Sequence, residues 1–94
     1  MAKIKKGNNG KKQILLNTIG EIVKEKRAII NKGILLLSYE YDIPSSSLAK
    51  LEKGERDVQI STLWKLAEAL GMTFGEFISE LEKRLPQNFK LTED

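Results

Sequence analysis

Residues 33–54 read GILLLSYEYDIPSSSLAKLEKG, and this stretch decides the fold. It reads as two short helices joined by a tight turn at Tyr41-Asp42-Ile43-Pro44. The second helix is expected to begin at Pro44 or Ser45 and to end near Lys53, with Gly54 just past it. Proline is tolerated in a first helical turn, and glycine suits the left-handed position after a last one. Leu48 and Leu51 lie three apart on one face, while Ser45, Ser46, Lys50 and Lys53 fall mostly away from it. An apolar seam beneath small polar and basic side chains suits insertion into a DNA major groove.

The first half of the stretch is locally ambiguous. Ile34 to Leu37 followed by alternating Tyr39 and Tyr41 has the propensity of a buried strand. A lone strand among helical segments would leave its backbone groups unpaired, so the expectation is a helix capped by Gly33.

Upstream, Leu15, Ile19, Ile22, Val23, Lys26 and Ile30 recur at helical spacing with charges between them. This predicts a first helix from about Gln13 to Ile30–Lys32, stopped by Asn31 and Gly33. Before it, Met1 to Lys12 sets Lys3, Lys5, Lys6, Lys11 and Lys12 around Gly7-Asn8-Asn9-Gly10. A flexible basic arm is expected over 1–12, either a solubilising tail or a segment lying along phosphates. Downstream of the charged loop Glu55-Arg56-Asp57, residues Ile60, Leu63, Trp64, Ala67 and Leu70 form an amphipathic helix stopped by Gly71. Thr73 and Glu76 make a capping box for a last helix bearing Phe77, Ile78, Leu81 and Leu85, which Pro86 ends. Trp64, Phe74 and Phe77 are expected in the core. The domain then spans 13–85, and 86–94 is a tail whose alternation at Phe89 and Leu91 suggests an extended segment packed on the body or on a second subunit.

Composition narrows the function. The 94 residues make one domain, with 40% hydrophobic and 31% charged residues as in soluble globular proteins. There is no cysteine and no histidine, which excludes thiolate chemistry, imidazole-based catalysis and His-ligated zinc. No run is apolar enough for a membrane span or a signal peptide, so a cytoplasmic protein is expected. The net charge of +3 is uneven: residues 1–33 hold nine Lys/Arg against two acids, and 34–94 hold seven against eleven. The first third is therefore a basic head.

Taken together, Ile19-Gly20, Arg27, Leu37, Ile43, Leu48-x-x-Leu51-Glu52-x-Gly54 and Leu63-x-x-Leu66-Ala67-x-Ala69-Leu70-Gly71 carry a resemblance. From about Ile19 to Ile78 the chain resembles the lambda-repressor-like, or xenobiotic-response-element (XRE), helix-turn-helix family. The resemblance implies an all-α, five-helix DNA-binding domain whose third helix enters the major groove, and homodimers that bind paired half-sites. It implies that Ser45, Ser46, Ser47 and Lys50 face the bases or the groove, and that Lys53 and Arg56 contact the backbone. It also implies a structural salt bridge between Arg27 and Glu52. Four positions depart from the pattern. Gly33-Ile34 stands where the family has Ser/Thr and then Gln, Ser38 where it has Ala, and Asp42 where it has Gly in the turn. Aspartate tolerates the left-handed conformation better than most residues, so the turn is expected to survive.

The expected function is therefore double-stranded DNA binding by a small, repressor-like transcriptional regulator, with modest intrinsic specificity. Serine hydroxyls pair with any base, and the strongly selective Arg–guanine and Asn/Gln–adenine pairings are missing from this helix. Lys50 is the best candidate for a base contact. A plainer alternative leaves the three serines as helix-capping, solvated residues. The rival function is a protein-interaction module on the same fold, such as an antitoxin that meets a toxin or another regulator, with Tyr39, Glu40 and Tyr41 as its exposed face. Ser47-Leu48-Ala49-Lys50 matches the Ser-x-x-Lys spacing of penicillin-recognising enzymes, but the companion motifs and the large α/β body are missing. No catalytic residue, cofactor or metal site is expected. Dimerisation is expected through the last helix and Phe89/Leu91.

Overall fold

The computed structural model describes residues 6–92, and among them the chain forms α1 (Lys6–Ile29), α2 (Ile34–Tyr41), α3 (Ser45–Glu52), α4 (Ile60–Ala69) and α5 (Phe74–Arg84). Their apolar stripes meet in one core. Ile19, Ile22 and Val23 come from α1, Leu37 from α2, Leu48 and Leu51 from α3. Leu63, Leu66 and Ala67 of α4 and Phe77 and Leu81 of α5 close it from the other side. Phe77 is fully buried, and burying a side chain of that size is worth about 1.5–3 kcal/mol. α1 packs on α3 and α5, α2 on α3 and α4, and α4 on α5.

The first four helices stop by the same device. Asn31, Asp42, Gly54 and Gly71 each take positive φ just past a helix. The next residue's N–H then reaches back five positions: Lys32 to Arg27, Ile43 to Ser38, Glu55 to Lys50, and Met72 to Ala67. That closure satisfies carbonyls a helix end would otherwise leave open. Ile34–Tyr41 is helical with Gly33 as its N-cap, and Asp42 holds the turn at φ 55° and ψ 51° as expected. The capping box at α5 is complete: Thr73 Oγ1 accepts from Glu76 N at 3.0 Å, and Glu76 Oε1 accepts from Thr73 N at 2.9 Å.

Four expectations need correction. The basic segment is helical from Lys6, so residues 6–12 are the opening turns of α1 and not a flexible arm. Lysine is a good helix former, and extending an existing helix costs far less than nucleating one. Lys3 and Lys5 lie outside the described residues. Of the expected stops Asn31 and Gly33, only Asn31 takes the left-handed conformation. Trp64 is 51% exposed and stacks on half-buried Phe74, with ring centroids 4.6 Å apart and planes 3° apart, so only Phe77 of the three aromatics is in the core. The tail is extended at Leu85 but then turns. Phe89 N donates to Pro86 O at 3.0 Å and Asn88 takes φ 62°, as a type II turn requires at its third residue.

Candidate nucleic-acid interface

α3 is short, so its orientation depends on what holds its ends. At its start Pro44 is the N-cap, and no side chain caps the helix. The three serines at its first positions therefore do not serve as caps. The turn before it is pinned from α4 by Lys65 Nζ, which donates to Asp42 O at 3.2 Å. At its end Glu52 accepts two hydrogen bonds from Arg27, Nε to Oε2 at 2.7 Å and Nη2 to Oε1 at 2.9 Å. Arg27 Nη1 also donates to Lys32 O at 3.1 Å, which ties the end of α1 into the same knot. The Glu52 side chain is only 7% exposed, so the pair is largely shielded from water. Its hydrogen bonds to Glu52 hold the Arg27 guanidinium above its ordinary pKa. The ion pair implied by the resemblance is thus present.

Gly20 explains how α1 comes so close. A Cβ there would lie 2.6 Å from Glu52 O and 2.7 Å from Leu51 O, both backbone atoms. α3 rests its last carbonyls directly on the α1 backbone. Further back along α1, Gln13 Nε2 donates to Gly54 O at 2.8 Å and to Asn17 Oδ1 at 2.8 Å. Lys12 Nζ pairs with Asp57 at 3.3 Å. One helix therefore supports α3 from its end through the following loop.

On this frame the six candidate residues separate. Ser46, Lys50 and Lys53 are exposed, and spacings of four and three put them on one stripe of α3 opposite buried Leu48 and Leu51. Ser45 is half-buried on one flank of that stripe. Ser47 is half-buried on the other flank, where it and Arg56 line a cleft of about 340 Å³ floored by Ile43, Leu48 and Leu66. Arg56 is exposed in the loop that returns to α4. The structure thus joins Ser46, Lys50 and Lys53 and sets Ser47 and Arg56 to one side. Among the described residues Lys50, Lys53 and Arg56 carry no ion pair, so their charges are uncompensated locally. Ser47 and Lys50 share no hydrogen bond, so the Ser-x-x-Lys spacing makes no nucleophile–base pair here.

Sequence reasoning missed Gln13 and Asn17, and the pairing of Lys12 with Asp57. Gln13 and Asn17 are one helical turn apart, which is a usable signal, but their partner lies 41 residues away.

Comparison with known proteins agrees with this architecture. Residues 37–77 match the helix-turn-helix family model HTH_3. Among solved structures, the chain superimposes on an HTH_3 family transcriptional regulator from Vibrio cholerae with a TM-score of 0.66 and 24% identity. That match covers 72% of this chain and 38% of the other, so this chain spans well under half of that protein. No curated protein matches. Helix order among the described residues, the family match and the structural match thus agree on an all-α helix-turn-helix fold.

Proposed function

We propose that this helix-turn-helix domain is a small transcriptional regulator that binds double-stranded DNA and lays α3 in the major groove. The observation that carries this is the uncompensated stripe of Ser46, Lys50 and Lys53 on a helix fixed at both ends. Lys50, in the last turn of α3, reaches for a base edge, with guanine as its natural partner. Lys53 and Arg56 meet phosphates. Ser45 and Ser46 add hydrogen bonds that any base accepts, and Ser47, turned into its cleft, contributes least. Affinity comes mostly from charge and falls with salt. Titration of the protein on a random duplex and on selected duplexes at two salt concentrations tests this. Lys50→Ala should weaken binding to selected sites by about 1–3 kcal/mol. Lys53→Ala should weaken binding uniformly and lower the salt slope by roughly 1. No salt-dependent binding at all would remove the DNA function.

A single serine-rich helix specifies weakly, so the regulator is proposed to act as a homodimer that doubles its reading surface. Ile60 and Trp64, with Phe74 stacked against Trp64, form an exposed apolar face on α4 and the start of α5. They suit a second copy better than Phe89 and Leu91 alone. Sedimentation at tens of micromolar should give a dimer that Trp64→Ala weakens, and a monomeric wild-type chain would refute it. A protein partner is the second reading, favoured by α2. Leu35 is 75% exposed and Tyr39, one turn on, is 86% exposed. No helix among the described residues is long and apolar enough to cross a membrane.

A further inference from the structure

We propose that the basic lead-in of α1 is a second phosphate-contacting surface, held in fixed register beside α3, and that Asp57 restrains it. This rests on the DNA reading above and extends it to residues outside the helix-turn-helix. The first buried residue of α1 is Leu16, so residues 6–15 run for about 15 Å ahead of the core. Residues 10–14 are exposed or half-exposed, and the core does not require them. They are nevertheless clasped at two points, Gln13 to Gly54 O and Lys12 to Asp57.

Both clasp points lie in the loop that leaves α3. Gly54 follows Lys53, and Asp57 follows Arg56. The clasp therefore sets Lys11 and Lys12 beside the loop that carries Lys53 and Arg56. Gly54 is part of the fit, because a Cβ there would overlap the Asn17 side chain. Lys11, Lys12, Lys53 and Arg56 all lie within two residues of the clasp points and outnumber Glu55 and Asp57, a balance suited to a polyanion. Cations on a formed helix also lose less freedom on binding than those of a loose arm.

The Asp57 carboxylate occupies the place beside Lys12 that a phosphate oxygen would take. The Lys12 side chain remains 54% exposed, so an incoming phosphate can reach it and exchange with the carboxylate. The Gln13–Gly54 bond alone then keeps the lead-in in register, so Asp57 weakens DNA binding twice, by neutralising Lys12 and by repelling phosphate.

The test is fluorescence anisotropy of the full chain on a labelled random duplex across a series of KCl concentrations. Circular dichroism checks that each variant is folded. Lys11→Gln with Lys12→Gln should lower the slope of log Kobs against log[salt] by roughly 1.8, the loss of two phosphate contacts. Asp57→Asn should tighten binding about twofold to fivefold, the equivalent of one exposed ion pair. Gln13→Ala keeps every charge but opens the clasp and should weaken binding, and unchanged binding would overturn the fixed register. If Lys11→Gln/Lys12→Gln leaves the slope unchanged while Lys50→Ala/Lys53→Ala lowers it, the second surface is overturned and the DNA function stands. If the wild-type chain shows no salt-dependent binding, both are overturned.

Discussion

Gly20→Ala isolates the contact on which the position of α3 depends. The added methyl would meet Glu52 O at 2.6 Å, Leu51 O at 2.7 Å and the Glu52 carbonyl carbon at 2.9 Å, where ordinary contact begins near 3.4 Å. All three are backbone atoms, so no side-chain rotation relieves the clash, and α3 must retreat by roughly 0.8 Å. Overpacking of this kind costs about 1–3 kcal/mol, and alanine's better helix propensity returns about 1. The same retreat pulls Glu52 from Arg27, where both hydrogen bonds are already at 2.7 and 2.9 Å. Breaking a shielded pair outright costs about 3 kcal/mol or more, so partial loss brings the net effect to about 2–3 kcal/mol. In a domain of this size that lowers Tm by roughly 10–20 °C. Urea and thermal melts measure it. A cycle with Glu52→Gln separates the two parts, since the double variant should lose less than the sum of the singles. A Gly20→Ala protein as stable as wild type would show that α1 does not bear directly on α3.

Other expectations follow from single contacts. Hydrogen bonds from Arg84 hold Glu25 and Glu80 below their ordinary pKa values. Their contribution is therefore complete above the usual glutamate range of about 4.3 and is lost as pH falls through the depressed values. Arg84→Gln should flatten that acid limb in pH-dependent melts, and an unchanged limb would remove the link between α1 and α5. Ser38 Oγ is buried with no hydrogen-bond partner among the described residues, so Ser38→Ala should be neutral or stabilising by about 1 kcal/mol in urea. A clear loss would reveal a partner for that hydroxyl. Thr73→Ala removes half of the capping box and should cost about 0.5–2 kcal/mol by the same melts. No loss would mean that α5 is held by Phe77 and Leu81 alone.

What was legible in the sequence was local. The spacing of Leu48 and Leu51, the αL-tolerant Asp42 and the Thr73–Glu76 pair each act within one or two turns, and all three stand in the structure. Trp64 was misplaced because periodicity gives an apolar stripe but not how much of it a neighbour covers. α5 covers the Leu63, Leu66 and Ala67 side and leaves Ile60 and Trp64 at the edge. The lead-in was misjudged because Gly7-Asn8-Asn9-Gly10 has poor helix propensity, while its continuity with α1 and its clasp at Gly54 are non-local. Of the site, Ser46, Lys50 and Lys53 came directly from the 3.6-residue period. Ser47 did not, because its cleft is made by residues 56–66 folding back against α3.

Leu37 is the one fully buried residue of α2, although six of its eight residues are apolar or aromatic: Ile34 and Tyr41 pack only on the edge of the core, and Leu35, Leu36 and Tyr39 are exposed. α3, by contrast, is tied to α1 by the Gly20 approach and by the Arg27 fork. The two helices that are adjacent in sequence are thus held by different contacts. By that difference α2 should open at a lower free energy than α3, which hydrogen exchange would read as faster amide exchange over 34–41 than over 45–52. The motif that reads as one unit in the chain would then open as two.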